Sequence, residues 1–281
     1  MVSLRKLFSI AIFLTIANSA VSQDASPVEV ADGIYSYGMG NYISMFVVTD
    51  DGVIAIDPIN PTHSQALVAA IKSVTDQPIR YLVHTHNHWD HSGGGQAFKD
   101  EGATIIAHVD AYNWMLANPH PNLVLPDESW GGGRKDIILG GTTVELHHFG
   151  ASHGHGMTIP LASTSQRVGY IADIVGPNRL PFLFLPDFNV AQLERTLGEI
   201  LELDIDKIVF THSQAPDPLQ GGTKQDVADT LQYLRDLRAE LDSGVHPTAV
   251  SLPQYESWRM YDEWLPLNAW KIFMEGHLGP F

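Results

Sequence analysis

Between His84 and His91 the chain reads His-Thr-His-Asn-His-Trp-Asp-His, five side chains able to bind a metal within eight residues, and Ser92-Gly93-Gly94-Gly95 follows directly. His86, His88, Asp90 and His91 make the pattern H-x-H-x-D-H. In extended or turning backbone, residues two apart point the same way. His86 and His88 can therefore grip one ion while Asp90 and His91 turn towards a second. With 14 histidines among 281 residues, so dense a cluster is not expected by chance. Imidazole and carboxylate donors without sulfur favour zinc, manganese or iron.

Strands must position these groups. Ile79-Arg80-Tyr81-Leu82-Val83 is a short apolar run that stops where the histidines begin, and the glycines beyond them let the chain leave closely and start a helix. Three more expected strand ends carry similar residues. His153 lies in the glycine-rich turn Gly150 to Gly156, Asp173 follows the run Arg167 to Ala172, and His212 follows Lys207-Ile208-Val209-Phe210. Rigid strands aim loops at shared sites, so seven nitrogen and oxygen donors, one of them a carboxylate able to bridge, suit two divalent ions.

The order of these residues resembles that of the metallo-β-lactamase superfamily of metallohydrolases, over most of the chain from about Val28 to Leu241. The resemblance implies an α/β (α+β) fold, a four-layer αβ/βα sandwich with a two-zinc site along one edge of two sheets. It implies that His86, His88 and His153 hold one metal, that Asp90, His91 and His212 hold the other, and that Asp173 bridges them. It further implies hydrolysis of an ester, lactone, thioester or amide carbonyl by a water ionised between the metals, with Asp90 as the catalytic residue that orients it and moves its proton. Asp173 stands where the cysteine-bearing β-lactamases of the superfamily place a thiolate, which favours the glyoxalase II, lactonase and periplasmic hydrolase branches. His88 argues against the di-iron redox branch, which carries Glu there. A β-lactam hydrolase, an iron redox enzyme and a non-catalytic periplasmic metal or cofactor carrier are the rival readings. An intact Asp173 and His212 speak against the carrier.

Composition bounds the rest. Arg5 and Lys6 precede the apolar run Leu7 to Ala17, and Ala20-Val21-Ser22 offers small residues at a cleavage site, so residues 1–22 read as a secretory signal and the mature protein as periplasmic or secreted, without a membrane anchor. Residues 28–281 read as one domain with a C-terminal helical extension. Cysteine is absent, which excludes disulfides and thiolate chemistry. A formal charge of −16 disfavours nucleic acid and leaves a small-molecule substrate as the partner.

Three strands, Val28 to Tyr37, Tyr42 to Val48 and Val53 to Asp57, are expected before a first helix from Ser64 to Val74. Helices are also expected over 95–101, 109–117, 190–203, 225–241 and 255–273, and strands over 103–107, 136–139 and 142–149. The segment 118–133, rich in proline and glycine, reads as irregular, either a lid or a surface excursion. His84 and His155 flank the ligands. One of His147 and His148 could approach the site, and His63, His108, His120, His246 and His277 carry no motif. Pro181 to Leu185 with Trp258, Tyr261, Trp264 and Trp270 read as an apolar substrate wall or as the packing of a tail helix.

Overall fold

Alternation along the strands builds two sheets in a computed structural model that describes residues 26–279. The first half runs β1 (Val28–Ala31), β2 (Ile34–Met39), β3 (Tyr42–Thr49), β4 (Gly52–Ile56), α1 (Pro61–Val74), β5 (Ile79–Val83), α2 (Trp89–Ser92), α3 (Gln96–Asp100), β6 (Thr104–His108), α4 (Val109–Ala117) and β7 (Glu128–Trp130). The second half runs β8 (Arg134–Leu139), β9 (Thr142–His147), β10 (Ile159–Ser163), β11 (Arg167–Ile171), α5 (Val190–Glu202), β12 (Lys207–Phe210), α6 (Lys224–Asp242) and α7 (Tyr261–Leu278). Strands β1 to β7 form one sheet in sequence order, and β12-β11-β10-β9-β8 form the other.

Each sheet is apolar on both faces, which forces four layers. On β4, Ile54 and Ile56 face Val144, Val168 and Tyr170 of the second sheet, whereas Val53 and Ala55 face Leu67 and Ile71 of α1. On the far side, Ile208 and Phe210 of β12 pack beneath Leu193 and Leu197 of α5 and Leu231 and Leu234 of α6. This is the αβ/βα sandwich that the resemblance implied. The expected signal segment lies outside the described residues. Among the described residues, no helix is long and apolar enough to cross a membrane.

Four details differ from the sequence reading. Val28 to Tyr37 is two strands rather than one, because the chain reverses at Asp32-Gly33 (Gly33 φ +71). Strand β10 was not expected, since Pro160 argues against a central strand. Its missing N–H is tolerated because Pro160 pairs with Leu146 of β9, while the ladder to β11 starts only at Leu161. The segment 118–133 is pinned: Gly94 N donates to Asn122 O (2.8 Å), Ile105 N to Asp127 Oδ2 (2.8 Å), and Glu128–Trp130 adds a parallel strand to β6. The C-terminal helix begins at Tyr261, after Met260 in a left-handed conformation.

Candidate metal centre

Strands β4 and β5 are parallel, as are β11 and β12, so the residues after each pair emerge on one edge of the sandwich. That edge gathers the motif after β5, Asp173 after β11 and His212 after β12. The turn carrying His153 reaches it because Gly154 (φ +58) packs on the motif, where a Cβ would lie 2.6 Å from Asn87 Oδ1. Asp173 itself has φ +57, a conformation Asp adopts more readily than most residues.

The Asp173 carboxylate is the centre. Its Oδ2 lies 3.0 Å from His153 Nε2, 3.3 Å from His86 Nε2 and 3.9 Å from His88 Nδ1. Its Oδ1 lies 3.0 Å from both His91 Nε2 and His212 Nε2. One oxygen thus faces one set of histidines and the other oxygen faces the second set. Asp90 stands at the edge, with Oδ2 4.0 Å from His91 Nε2 and accepting from the Tyr42 hydroxyl at 2.9 Å.

Surrounding acceptors orient four of these imidazoles. Thr85 gives its hydroxyl proton to Asp57 Oδ2 (2.7 Å), so its oxygen must accept from His86 Nδ1 (3.0 Å). His91 Nδ1 donates to Asp57 Oδ2 (3.1 Å), His88 Nε2 to Asp187 Oδ2 (2.5 Å) and His212 Nδ1 to Asn41 O (2.7 Å). The remaining ring nitrogens therefore face the Asp173 oxygens, where each can bind a cation or, when protonated, donate to the carboxylate. Lone pairs at about 3 Å repel unless a cation or a proton lies between them. His86 Nε2, His91 Nε2 and Asp173 Oδ1 are buried without a hydrogen bond, which fits donors set for cations. Burial alone would raise the Asp173 carboxyl, but His91, then His153, His212 and His86, hold it well below the ordinary range as an anion.

Sequence reading missed three members of this arrangement. Asp57 is fully buried and also accepts from Thr85 N (2.8 Å). It ends the apolar strand β4 much as Asp173 ends β11, so the signal was there. Tyr42 and Asp187 carried no pattern. We expect Asp57→Asn, which cannot accept from all its donors, to weaken metal binding about ten- to hundredfold. Competition with a chelator reads this directly, and unchanged affinity would mean that His91 is oriented by something else.

The remaining histidines divide. His84 is fully buried, neither ring nitrogen has a hydrogen bond, and it belongs to no candidate metal group. The His155 ring stacks on Trp114, and His147 bonds Glu145 at 2.9 Å. His108 and His148 come together with Asp110, but their rings stack 4.0 Å apart and 19° from parallel, so their in-plane lone pairs do not converge on one ion. Burial lowers His84 to about 4. The unfolded chain, with histidine near 6.5, takes up this proton first, so stability is level above about pH 6.5 and falls towards pH 4, by up to about 3 kcal/mol. His84→Leu should lose less stability between pH 7.5 and pH 5 than the parent chain, read as urea midpoints. An equal loss would exclude His84 as a source of acid sensitivity.

A cavity of about 280 Å³ opens onto Asp90, His88 and His153 and is walled by Phe182, Leu185 and Trp264. Of the aromatic residues suggested as a substrate wall, Trp264 lines it, Trp258 and Tyr261 pack against the outer core, and Trp270 faces outward. Arg179 lines it as well.

Residues 38–212 match the family model described as the metallo-beta-lactamase superfamily. A 2,4-dinitroanisole O-demethylase subunit alpha of Nocardioides sp. (strain JS1661) is 28% identical over 177 residues, 62% of this chain and 53% of that protein. A hydroxyacylglutathione hydrolase of Anaeromyxobacter dehalogenans (strain 2CP-C) is 30% identical over 112 residues, 40% of this chain and 38% of that one. The chain thus spans about half or less of the length of these curated relatives. A metallo-beta-lactamase of Cronobacter sakazakii with a HARLDQ motif shares the fold, with a TM-score of 0.63 at 17% identity over 78% of this chain and 95% of that one.

Proposed function

The chain belongs to the metallo-beta-lactamase superfamily, and from that premise we propose that it is an exported hydrolase with two zinc ions that cleaves an ester, lactone or thioester. The observation that carries this reading is the set of five imidazoles whose ring nitrogens converge on the two oxygens of Asp173. His86, His88 and His153 would hold one ion, His91, His212 and Asp90 the other, and Asp173 both. Two such dications supply a nucleophile from water near neutral pH and polarise a carbonyl oxygen.

The chain's own residues do the rest. Asp57, Asp187 and the Asn41 carbonyl hold the imidazoles in place. Asp90 faces the cavity with one oxygen already bonded to Tyr42, so its other oxygen is free to accept a proton from water. Burial, and then the Asp90 charge, raise the Tyr42 hydroxyl, which therefore stays protonated and donating. Phe182, Leu185 and Trp264 offer an apolar face to an acyl or leaving group and exclude water from it.

Metal analysis of purified protein, followed by a panel of esters, lactones, thioesters, β-lactams and aryl ethers, tests the reading. Aryl ethers belong in the panel because one relative is named an O-demethylase subunit. Two equivalents of zinc with turnover of an acyl substrate support it. Two equivalents with no turnover of any member would favour the carrier reading instead, and turnover of β-lactams alone would make the chain a β-lactamase. Export rests on the Arg5-Lys6 start and apolar run of residues 1–22. We expect exported protein to begin near Gln23 by mass spectrometry, and an intact Met1 in that fraction would sink the cleavage claim.

A further inference from the structure

Three guanidinium groups of this acidic chain pair with carboxylates, Arg134 with Asp136, Arg167 with Glu145 and Arg238 with Glu194, and others bond amide or backbone oxygens, as Arg259 does Gln214 Oε1. Arg179 does not. It lies in the segment between β11 and α5 and lines the cavity that holds the metal-site histidines. Its Nε is buried without a hydrogen bond, and its guanidinium carbon sits 5.3 Å over the Trp264 ring. A cation over an aromatic face recovers part of the cost of burial, while the Nε donor of its fork stays unanswered.

The cavity is therefore polarised. Asp90 and Asp173 line it with the histidines, and on the Trp264 side the Arg179 guanidinium brings a positive charge, near enough to Asp173 to interact with it. The Phe182 and Trp264 rings meet edge to face, centroids 4.8 Å apart, and give that end an apolar floor. A planar fork of donors above such a floor matches a carboxylate on a flat apolar body, since guanidinium and carboxylate pair through two parallel hydrogen bonds.

We infer that Arg179 anchors a substrate carboxylate, so that this chain acts on molecules carrying an acid group on an aromatic or similarly flat apolar body, with the scissile group reaching the histidines. The inference rests on the hydrolase reading for the word substrate, but the binding it describes can be measured without turnover. The Arg179 fork fixes the acid end, the Trp264 and Phe182 faces hold the body, and the histidine end is left for the group to be cleaved.

Calorimetric titration of zinc-loaded protein with 4-phenylbutanoate and its isosteric amide, 4-phenylbutanamide, tests it. Wild-type protein should bind the acid at least about tenfold more tightly than the amide, as a charged hydrogen-bonded pair requires. Arg179→Met keeps the apolar stem and should abolish most of that preference while binding the amide within about twofold of wild type. Arg179→Lys should retain part of the preference, and unaltered amide binding in both variants shows that the cavity is still formed. A preference unchanged in Arg179→Met would mean that the metals hold the carboxylate and would overturn the inference, as would equal or unmeasurable binding of both probes by wild type. A chain that binds the acid through Arg179 but turns over no acyl substrate would overturn only the hydrolase reading. One that hydrolyses esters with no acid preference would overturn only the carboxylate anchor.

Discussion

Asp173→Ala should lose at least one of two bound metals and about a thousandfold or more of hydrolysis, the largest effect expected of any single change. Five imidazoles meet this carboxylate, three towards Oδ2 and two towards Oδ1. Removing it takes away the anion that lies between the two sets of histidines, and several kcal/mol of charge stabilisation correspond to at least a thousandfold in rate. The backbone complicates a reading from alanine alone. Asp173 sits at φ +57, where alanine is strained by roughly 1 to 2 kcal/mol and asparagine is tolerated. Asp173→Asn therefore separates the two causes, because it keeps the shape and the conformation while removing the charge. If the carboxylate bridges, both variants lose metal and activity. If Asp173 only caps the following turn, Asn behaves as wild type and both variants keep two metals by elemental analysis.

Sequence patterning singled out seven residues that the fold brings together, because each follows a short apolar strand or lies in a glycine turn, and parallel strand pairs deliver such ends to one edge. What it did not place depends on contacts across long separations. Asp187 meets His88 across 99 residues from a stretch without periodicity. Tyr42 opens β3 like any strand aromatic, and only the fold sets its hydroxyl on Asp90. Arg179 lies in a proline-broken run that shows hydrophobicity but no partner. Asp57 was the avoidable miss: a carboxylate ending a buried strand is costly unless donors await it, which is the argument that singled out Asp173.

Burial further explains why a histidine-rich sequence overstates its ligands. His84 shares the spacing of the motif, yet its residue belongs to the strand end and points into the core, where burial keeps it neutral. His63 behaves alike: burial, then the nearby His91, lower it to about 4, and its Nε2 lies 3.0 Å from the Ser44 hydroxyl. Neither position can be told from a ligand by residue type. What sets His86, His88, His91 and His212 apart is that one ring nitrogen is held by a neighbour while the other faces Asp173.

The second large effect is expected at Asp90, and it should fall on the rate rather than on the fold. Its side chain is 56% exposed, so Asp90→Ala leaves no buried cavity, and stability should change by no more than about 0.5 kcal/mol. Turnover should fall about a hundred- to ten-thousandfold, the range for loss of a positioned proton acceptor. Burial would raise this carboxyl, but His91 first, and then the Tyr42 hydrogen bond, bring it below the ordinary range, so it is ionised at neutral pH and ready to accept. Tyr42→Phe removes the donor that aims Asp90 and leaves the carboxylate, so it should lower kcat by a smaller factor, about tenfold. Asp90 also faces the second cation site, and two readouts separate its roles. With metal in excess, Asp90→Asn should regain two equivalents by elemental analysis while kcat stays low and KM changes little, because an interaction made chiefly in the transition state has been lost. Recovery of wild-type kcat on metal saturation would reduce Asp90 to a ligand, and a wild-type rate in Asp90→Ala would remove it from the reaction.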